Sequence, residues 1–221
     1  MSPHAILFDL DGTLADTALD LGAALNHLLA EEGRQPVEHS LIRPIASHGA
    51  RGLIRLGFGI EREAPDFETL RQRFLDHYED HFCASTCLFD GVNDLLAQLT
   101  ARGIAWGIIT NKPMRFTDRL VPTLGLAVDP GVVVSGDTVG FAKPDPRPMR
   151  YACEALGVDP ATCWYVGDAE RDIAAGRAVG MTTVLAAYGY IDASEQPDTW
   201  GADLRIEKPL ELLDLLPKAR V

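Results

Sequence analysis

Five stretches of the chain are apolar over consecutive positions rather than alternate ones: residues 5–10, 104–110, 132–135, 163–167 and 182–186. Each is bounded by Gly, Asp, Thr, Asn or Ser. Strands buried on both faces read this way, because neither side meets water. Between most of them lie stretches with the helical period of apolar positions, at 92–102, 115–124, 148–156 and 172–179. Strand–helix alternation predicts an α/β fold, a parallel sheet with helices on both faces.

One interval breaks the rhythm. Residues 11–103 separate the first run from the second, far more chain than a single crossover needs. Residues 17–32 predict a helix, with Thr17 or Asp16 at its N-cap and Gly33 just beyond its end. Residues 66–82 predict another, with Phe67, Leu70, Phe74, Leu75 and Tyr78 as its apolar positions. Residues 47–59, between them, are rich in glycine and arginine. The pattern predicts a helical insertion over residues 16–87, leaving 1–15 and 88–221 as the α/β core. It would emerge beside the C-terminal ends of the strands, where open α/β sheets bind ligands, and so would serve as a lid.

Composition narrows the function. A formal net charge of −12 over 221 residues argues against a nucleic-acid partner or an anionic membrane surface, both of which select clustered cations. An anionic substrate would then need a local positive centre. The four cysteines, Cys83, Cys87, Cys153 and Cys163, form no CxxC pair and read as free thiols of a cytoplasmic protein. Cys83 and Cys87 have the spacing of one helix face. The opening MSPHAILFDLDG lacks the pattern of a secretory signal, and no apolar run has the length of a membrane span. Among the six histidines, His77 and His81 fall at i,i+4 and read as one face of a helix rather than a zinc site.

The polar residues at the strand ends carry the chemistry. They are Asp9-Leu10-Asp11-Gly12-Thr13, then Thr110-Asn111-Lys112, then Gly167-Asp168 with Asp172 four residues on. A parallel sheet gathers them on one edge. Carboxylates brought together there repel one another in a partly dry site, and an all-oxygen set suits Mg²⁺. If the first strand continues through Asp11, its period of two puts Asp9 and Asp11 on one side. One carboxylate could then attack phosphorus and the other move the proton. The hydroxyl of Thr110 and amides at a helix start near Asn111 would suit an anion. Lys112 and Lys143, each before a proline, compete as the cation for the phosphoryl oxygens. Asp172 could support Asp168 or be its surface neighbour. In the insertion, Arg43, His48 and Arg51 could meet an anionic group of the substrate.

These motifs, in this order, resemble the haloacid dehalogenase superfamily in its phosphatase branch, and the helical insertion resembles that family's C1 cap. The resemblance implies a Rossmann-like α/β core, Mg²⁺ and a small phosphomonoester substrate. It implies Asp9 as nucleophile and metal ligand, and Asp11 as general acid/base with its carbonyl on the metal. Thr110, Lys143 and the amide of Asn111 would hold the phosphoryl group; Asp168 would bind the metal, and Asp172 would bind or support it. Dehalogenating members lack the second aspartate, so Asp11 points to phosphate chemistry. GRAVGMTTVLAAYGYI (176–191) is similar to phosphoglycolate phosphatases. PDTWGADLRIEKPLEL (197–212) is similar to N-acetylmuramic acid 6-phosphate phosphatases. Ser47-His48-Gly49 departs from the Gly-x-Gly common in the former. The expected function is therefore phosphomonoester hydrolysis of the phosphoglycolate phosphatase type, with the cell-wall sugar phosphate as alternative substrate. A sugar phosphomutase and a phospho-receiver without turnover are the rivals. The sequence leaves monomer and homodimer equally open.

Overall fold

Ala5, Ile6, Leu7 and Phe8 are all buried, and they form strand β1 (Ala5–Phe8) at the centre of the sheet. The computed structural model describes residues 2–217. β1 pairs in parallel with β4 (Ala105–Ile109) on one side and β6 (Cys163–Gly167) on the other. β5 (Val133–Val134) lies outside β4, and β7 (Thr182–Ala186) and β8 (Leu204–Ile206) lie outside β6. The order is β5-β4-β1-β6-β7-β8, with every pairing parallel. Alternation along β1 divides the core. Ile6 and Phe8 pack with Leu95, Leu96 and Leu99 of α5 (Val92–Ala101). Ala5 and Leu7 pack with Met149 and Ala152 of α7 (Arg147–Leu156) and Ala175 of α8 (Glu170–Ala178). Removing each such Ile, Leu or Phe from water contributes about 1.5–3 kcal/mol, and this two-sided burial is why the strands read as unbroken apolar runs. β8 escaped the sequence pattern because it is an edge strand of three residues with Arg205 exposed in its middle.

β1 stops at Phe8, so the strand does not run through Asp11 as the alternation argument required. Asp9 folds its carboxylate onto the Leu10 amide, which donates to Oδ1 at 2.8 Å. The chain then coils through a turn in which the Leu14 and Ala15 amides both donate to Leu10 O. Gly12 sits at φ +83°, and a Cβ there would collide with the Asp168 carboxylate. Glycine is therefore required twice over, by the backbone angle and by the close approach.

α1 (Ala18–Glu31), α2 (His39–Ile42), α3 (Gly49–Phe58) and α4 (Phe67–His81) bury a hydrophobic cluster apart from the two sheet-face clusters, with Leu25, Leu28, Leu53, Ile54, Phe74 and Tyr78 inside it. α3 occupies the stretch whose glycines masked its helical period. Gly57 allows close approach, since a Cβ there would meet Leu25 of α1. Chain entry and exit are joined by a short antiparallel ribbon of β2 (Ala15–Asp16) and β3 (Cys87–Leu88). Cys83 and Cys87 do not share a helix face. α4 ends at His81, Cys83 takes φ 61°, and Cys87 lies in β3. All four thiols are free, Cys153 and Cys163 being buried. No helix among the described residues is long and apolar enough to cross a membrane.

Candidate active site

The strand order turns around at β1, with β4 on one side and β6 on the other. That topology opens a crevice beyond the carboxyl ends of these strands. Asp9 follows β1, Thr110 follows β4 and Asp168 follows β6, so three neighbouring strand ends deliver three polar side chains to one place. All three are buried, as are Lys143 and Asp172. Of the two places the sequence allows Asp172, beside Asp168 or on the surface, the structure has the first: it is fully buried in the first turn of α8, its Oδ2 accepting from the Ala169 amide at 3.0 Å.

Lys143 is the electrostatic centre. Its Nζ lies 2.9 Å from Asp9 Oδ1 and 2.7 Å from Asp172 Oδ1. It also donates to Ile109 O at 2.8 Å and to Tyr165 Oη at 2.7 Å. An ammonium has three protons, and four oxygens surround this one. Asn111 fixes it from behind, its side chain donating to Lys143 O at 2.9 Å and accepting from Lys143 N at 2.8 Å. The helix-start amides expected near Asn111 are not there. α6 (Met114–Leu120) begins three residues later, and its first amide donates to Asp137 Oδ1 at 2.8 Å. The Thr110 hydroxyl accepts from the Lys112 amide at 3.2 Å instead of capping a helix.

One lysine does not neutralise the carboxylates around it. Asp9, Asp168 and Asp172 each offer an oxygen within 4.8 Å of the others. Burial pushes the Asp9 pKa up, Lys143 opposes it, and Asp172 adds to it. Burial first, then Asp9 and Asp172, push Asp168 up to about 7. Asp168 is nonetheless held by donors: Oδ2 accepts from the Ser47 hydroxyl at 2.7 Å and the Tyr190 amide at 2.8 Å. Three buried oxygen donors with surplus negative charge can hold a hard divalent cation.

The shift at Asp168 sets a pH dependence. Between its ordinary value of 3.8 and about 7 the folded protein holds this proton and the unfolded chain does not. Stability therefore falls as pH rises through that window. Glu31 and Asp145, each held down to about 2 by arginine, act in the opposite sense, but only below their ordinary values of 4.5 and 3.8, at the foot of that window or beneath it. Thermal melts in EDTA are expected to show a lower midpoint near pH 8 than near pH 5, and Asp168→Asn should flatten that slope. An unchanged slope in the variant would remove Asp168 as its source.

Asp11 belongs to a second charge cluster. Its Oδ1 accepts from Lys112 Nζ at 2.9 Å and from the Thr17 hydroxyl at 2.6 Å. Burial opposes the Lys112 charge, but Asp11 and Tyr78 more than offset it, and its pKa is raised. The two lysines between which sequence spacing could not choose thus divide the work, Lys143 pairing with Asp9 and Lys112 with Asp11. Thr17, spent on Asp11, gives α1 no side-chain cap. Tyr190 replaces it, its hydroxyl accepting from the Thr17 and Ala18 amides at 2.7 and 3.1 Å and donating to Asp16 at 2.8 Å.

A cavity of about 310 Å³ opens above these groups, between the strand ends and the helices. Asp9, Asp11, Thr110, Asn111 and Lys112 reach its lining, whereas Lys143, Asp168 and Asp172 stand behind it. His48 and Arg51 line it from the helical side. Arg43 does not. Its guanidinium is held by Asp16 at 3.3 Å and Gly189 O at 3.4 Å, and lies 5.0 Å from the Tyr190 ring centre, beside the point where the chain leaves the core. Burial, then Arg171, lower the His48 pKa.

Residues 6–186 match the family model described as haloacid dehalogenase-like hydrolase. The chain belongs to that family. It is 42% identical over 219 residues to an N-acetylmuramic acid 6-phosphate phosphatase of Pseudomonas aeruginosa, covering 99% of this chain and 97% of the relative. It is 40% identical over 210 residues to a phosphoglycolate phosphatase of Xanthomonas campestris, covering 95% of each. A solved structure from Lactobacillus delbrueckii superposes with a TM-score of 0.86 at 23% identity, over 99% of this chain and 100% of that one, a likeness of fold. The protein is a phosphatase of the haloacid dehalogenase-like family.

Three contributors to this hydrolase's site had no role in the sequence reading. Ser47 reaches Asp168 from the helical insertion. Arg171 lies inside the last motif, lines the cavity, and donates through Nη2 to Ser47 O at 2.7 Å. Tyr190 links Asp168 to the N-terminus of α1. Only Arg171 carried a signal, a cation among the motif's acids; the other two act across sequence separations that no local pattern encodes.

Proposed function

We propose that this phosphatase hydrolyses, with Mg²⁺, a phosphomonoester whose alcohol portion carries a carboxylate, and that N-acetylmuramic acid 6-phosphate fits best. Asp9 attacks phosphorus through the carboxylate oxygen not committed to the Leu10 amide and Lys143. Asp11 protonates the departing alkoxide and then takes a proton from the water that cleaves the phosphoaspartate. Lys112 and Thr17 both hold Oδ1 of Asp11, which leaves Oδ2 for that proton. Thr110 and the Asn111 amide meet the phosphoryl oxygens, and Lys143 keeps Asp9 ionised and aimed. Asp9, Asp168, Asp172 and the Asp11 carbonyl would hold Mg²⁺, which supplies the positive charge that phosphoryl oxygens seek. Residues 16–87 form the lid that closes over the substrate and limits water.

The observation that carries the substrate assignment is Arg51. It lines the cavity and pairs with no carboxylate among the described residues. A free arginine fork opposite the phosphate site suits a substrate carboxylate. Both N-acetylmuramic acid and glycolate supply one. A cavity of about 310 Å³ lies in the range that encloses drug-sized ligands, which favours the sugar over the two-carbon acid.

A Mg²⁺-dependent comparison of kcat/KM tests this. N-acetylmuramic acid 6-phosphate is expected to exceed 2-phosphoglycolate by tenfold or more. Arg51→Ala should lower kcat/KM for the sugar phosphate about 10–100-fold, the worth of a charged hydrogen bond, and leave p-nitrophenyl phosphate nearly unchanged. Preference for 2-phosphoglycolate would reassign the substrate, and equal effects on both esters would remove Arg51 from recognition. A single turnover would identify a receiver, and an isomeric product without phosphate release a mutase.

A further inference from the structure

Three side chains outside the active site converge on one point. His27 and Glu31 stand one turn apart on α1, and His77 meets them from α4. His27 Nε2 lies 3.6 Å from Glu31 Oε1, and His77 Nε2 lies 3.2 Å from Glu31 Oε2. The two imidazole centres are 4.0 Å apart. One donor atom from each residue falls within 4.8 Å of the others.

We propose that His27, Glu31 and His77 form a second metal site, for a borderline transition-metal ion of the Zn²⁺ class. Donor chemistry separates it from the active site. Two imidazoles and one carboxylate suit Zn²⁺, whereas Mg²⁺ prefers oxygen alone. The distances agree with that ion. Tetrahedral zinc with bonds of about 2.0–2.1 Å places its ligand atoms about 3.3 Å apart; His77 Nε2 already stands near that separation from Glu31 Oε2, and His27 Nε2, 3.6 Å from Oε1, reaches the shared oxygen by a small turn of the carboxylate. Three protein ligands leave the fourth position to water. Arg73 competes for the carboxylate, with Nη2 on Glu31 Oε2 at 2.8 Å, but its Nη1 also holds Glu32 at 2.5 Å. The ion displaces Arg73 from Glu31 alone and leaves it paired to Glu32. His81, the i,i+4 neighbour of His77, takes no part; its Nδ1 lies 3.3 Å from the His77 carbonyl.

The site has a structural consequence. α4 also supplies Arg71, Phe74, Leu75 and Tyr78 to the wall of the catalytic cavity. A metal bridge between α1 and α4 clamps the helices that carry that wall, outside the cavity and without touching the reacting atoms. A transition metal thereby stabilises the helical insertion by preferential binding to the folded state.

Zinc titration of the metal-stripped full-length protein, in excess Mg²⁺ to occupy the carboxylate site, tests the assignment. The expected result is one Zn²⁺ equivalent that raises the melting temperature beyond the Mg²⁺ value, with Co²⁺ giving the intense visible bands of tetrahedral coordination. His27→Ala and His77→Ala should each weaken zinc binding about tenfold or more and abolish the added melting shift. Their Mg²⁺-dependent turnover of p-nitrophenyl phosphate should stay at the wild-type rate, which also shows that they are folded. Because His27 is 57% exposed, its replacement leaves no cavity. Zinc stabilisation that persists in both variants would assign the ion to the active-site carboxylates and overturn the proposal. So would the absence of any zinc effect in the wild type. Neither outcome bears on the phosphatase reading, which the Mg²⁺ assays test separately.

Discussion

Asp9→Asn is expected to fold normally and to lose turnover by a factor on the order of 10⁴ or more, the scale of removing a nucleophile. The amide keeps the shape of the carboxylate but cannot form the acyl-phosphate bond. Folding survives because Asp9 is costly in the metal-free protein. Burial raises its pKa, and Asp172 adds repulsion. A neutral side chain removes both costs, and Lys143 keeps Asp172 at 2.7 Å. In EDTA the variant should therefore melt at or above the wild-type temperature, while its Mg²⁺ affinity falls. Phosphate release and thermal melts on one preparation check both halves. Near-normal turnover would remove Asp9 as nucleophile, and a large drop in melting temperature would mean that Lys143 depends on Asp9 for its place.

Lys143→Met is expected to cost about 3–5 kcal/mol of stability, the scale of breaking a buried ion pair by deleting one partner. Methionine fills much of the same volume, so the loss reports charge rather than packing. Its removal leaves Asp9 and Asp172 without their nearest cation and frees Ile109 O and Tyr165 Oη of a donor. For a chain of this length the melting temperature should fall by roughly 6–20 °C. The deficit should be larger in EDTA than in Mg²⁺, because a bound cation takes over part of the neutralisation. Urea unfolding with and without Mg²⁺ measures this. A loss below about 1 kcal/mol in EDTA would show that the carboxylates are not charged in the folded state, and the electrostatic account of the site would fail with it.

Much of the fold was written in local pattern. β1, β4, β6 and β7 are buried on both faces, so they appear as apolar runs, and α1, α4, α5 and α7 each carry an apolar stripe. What escaped has a physical cause in each case. α3 hides behind the glycines that let it approach α1. β8 is too short and too charged at Arg205 to look like a strand. Cys83 leaves the helical path through a positive φ.

The site was legible to the same extent. Asp9, Thr110 and Asp168 sit directly after strands, so any parallel pairing of β4, β1 and β6 must bring them together. The sequence therefore determined which side chains meet and that their charge calls for a cation. It did not determine how Asp11 arrives, because the strand ends at Phe8 and a turn replaces alternation. Spacing alone did not divide Lys143 from Lys112, although the order of the family's motifs chose Lys143; nor did local sequence place Arg43 on Asp16 instead of in the cleft, or bring Ser47, Tyr190 and the pair His27–His77 to their partners. Those outcomes depend on side chains from distant segments competing for the same few oxygens. Local sequence fixes an element's period, whereas the pairing of buried charges is settled only when packing has set every distance between them.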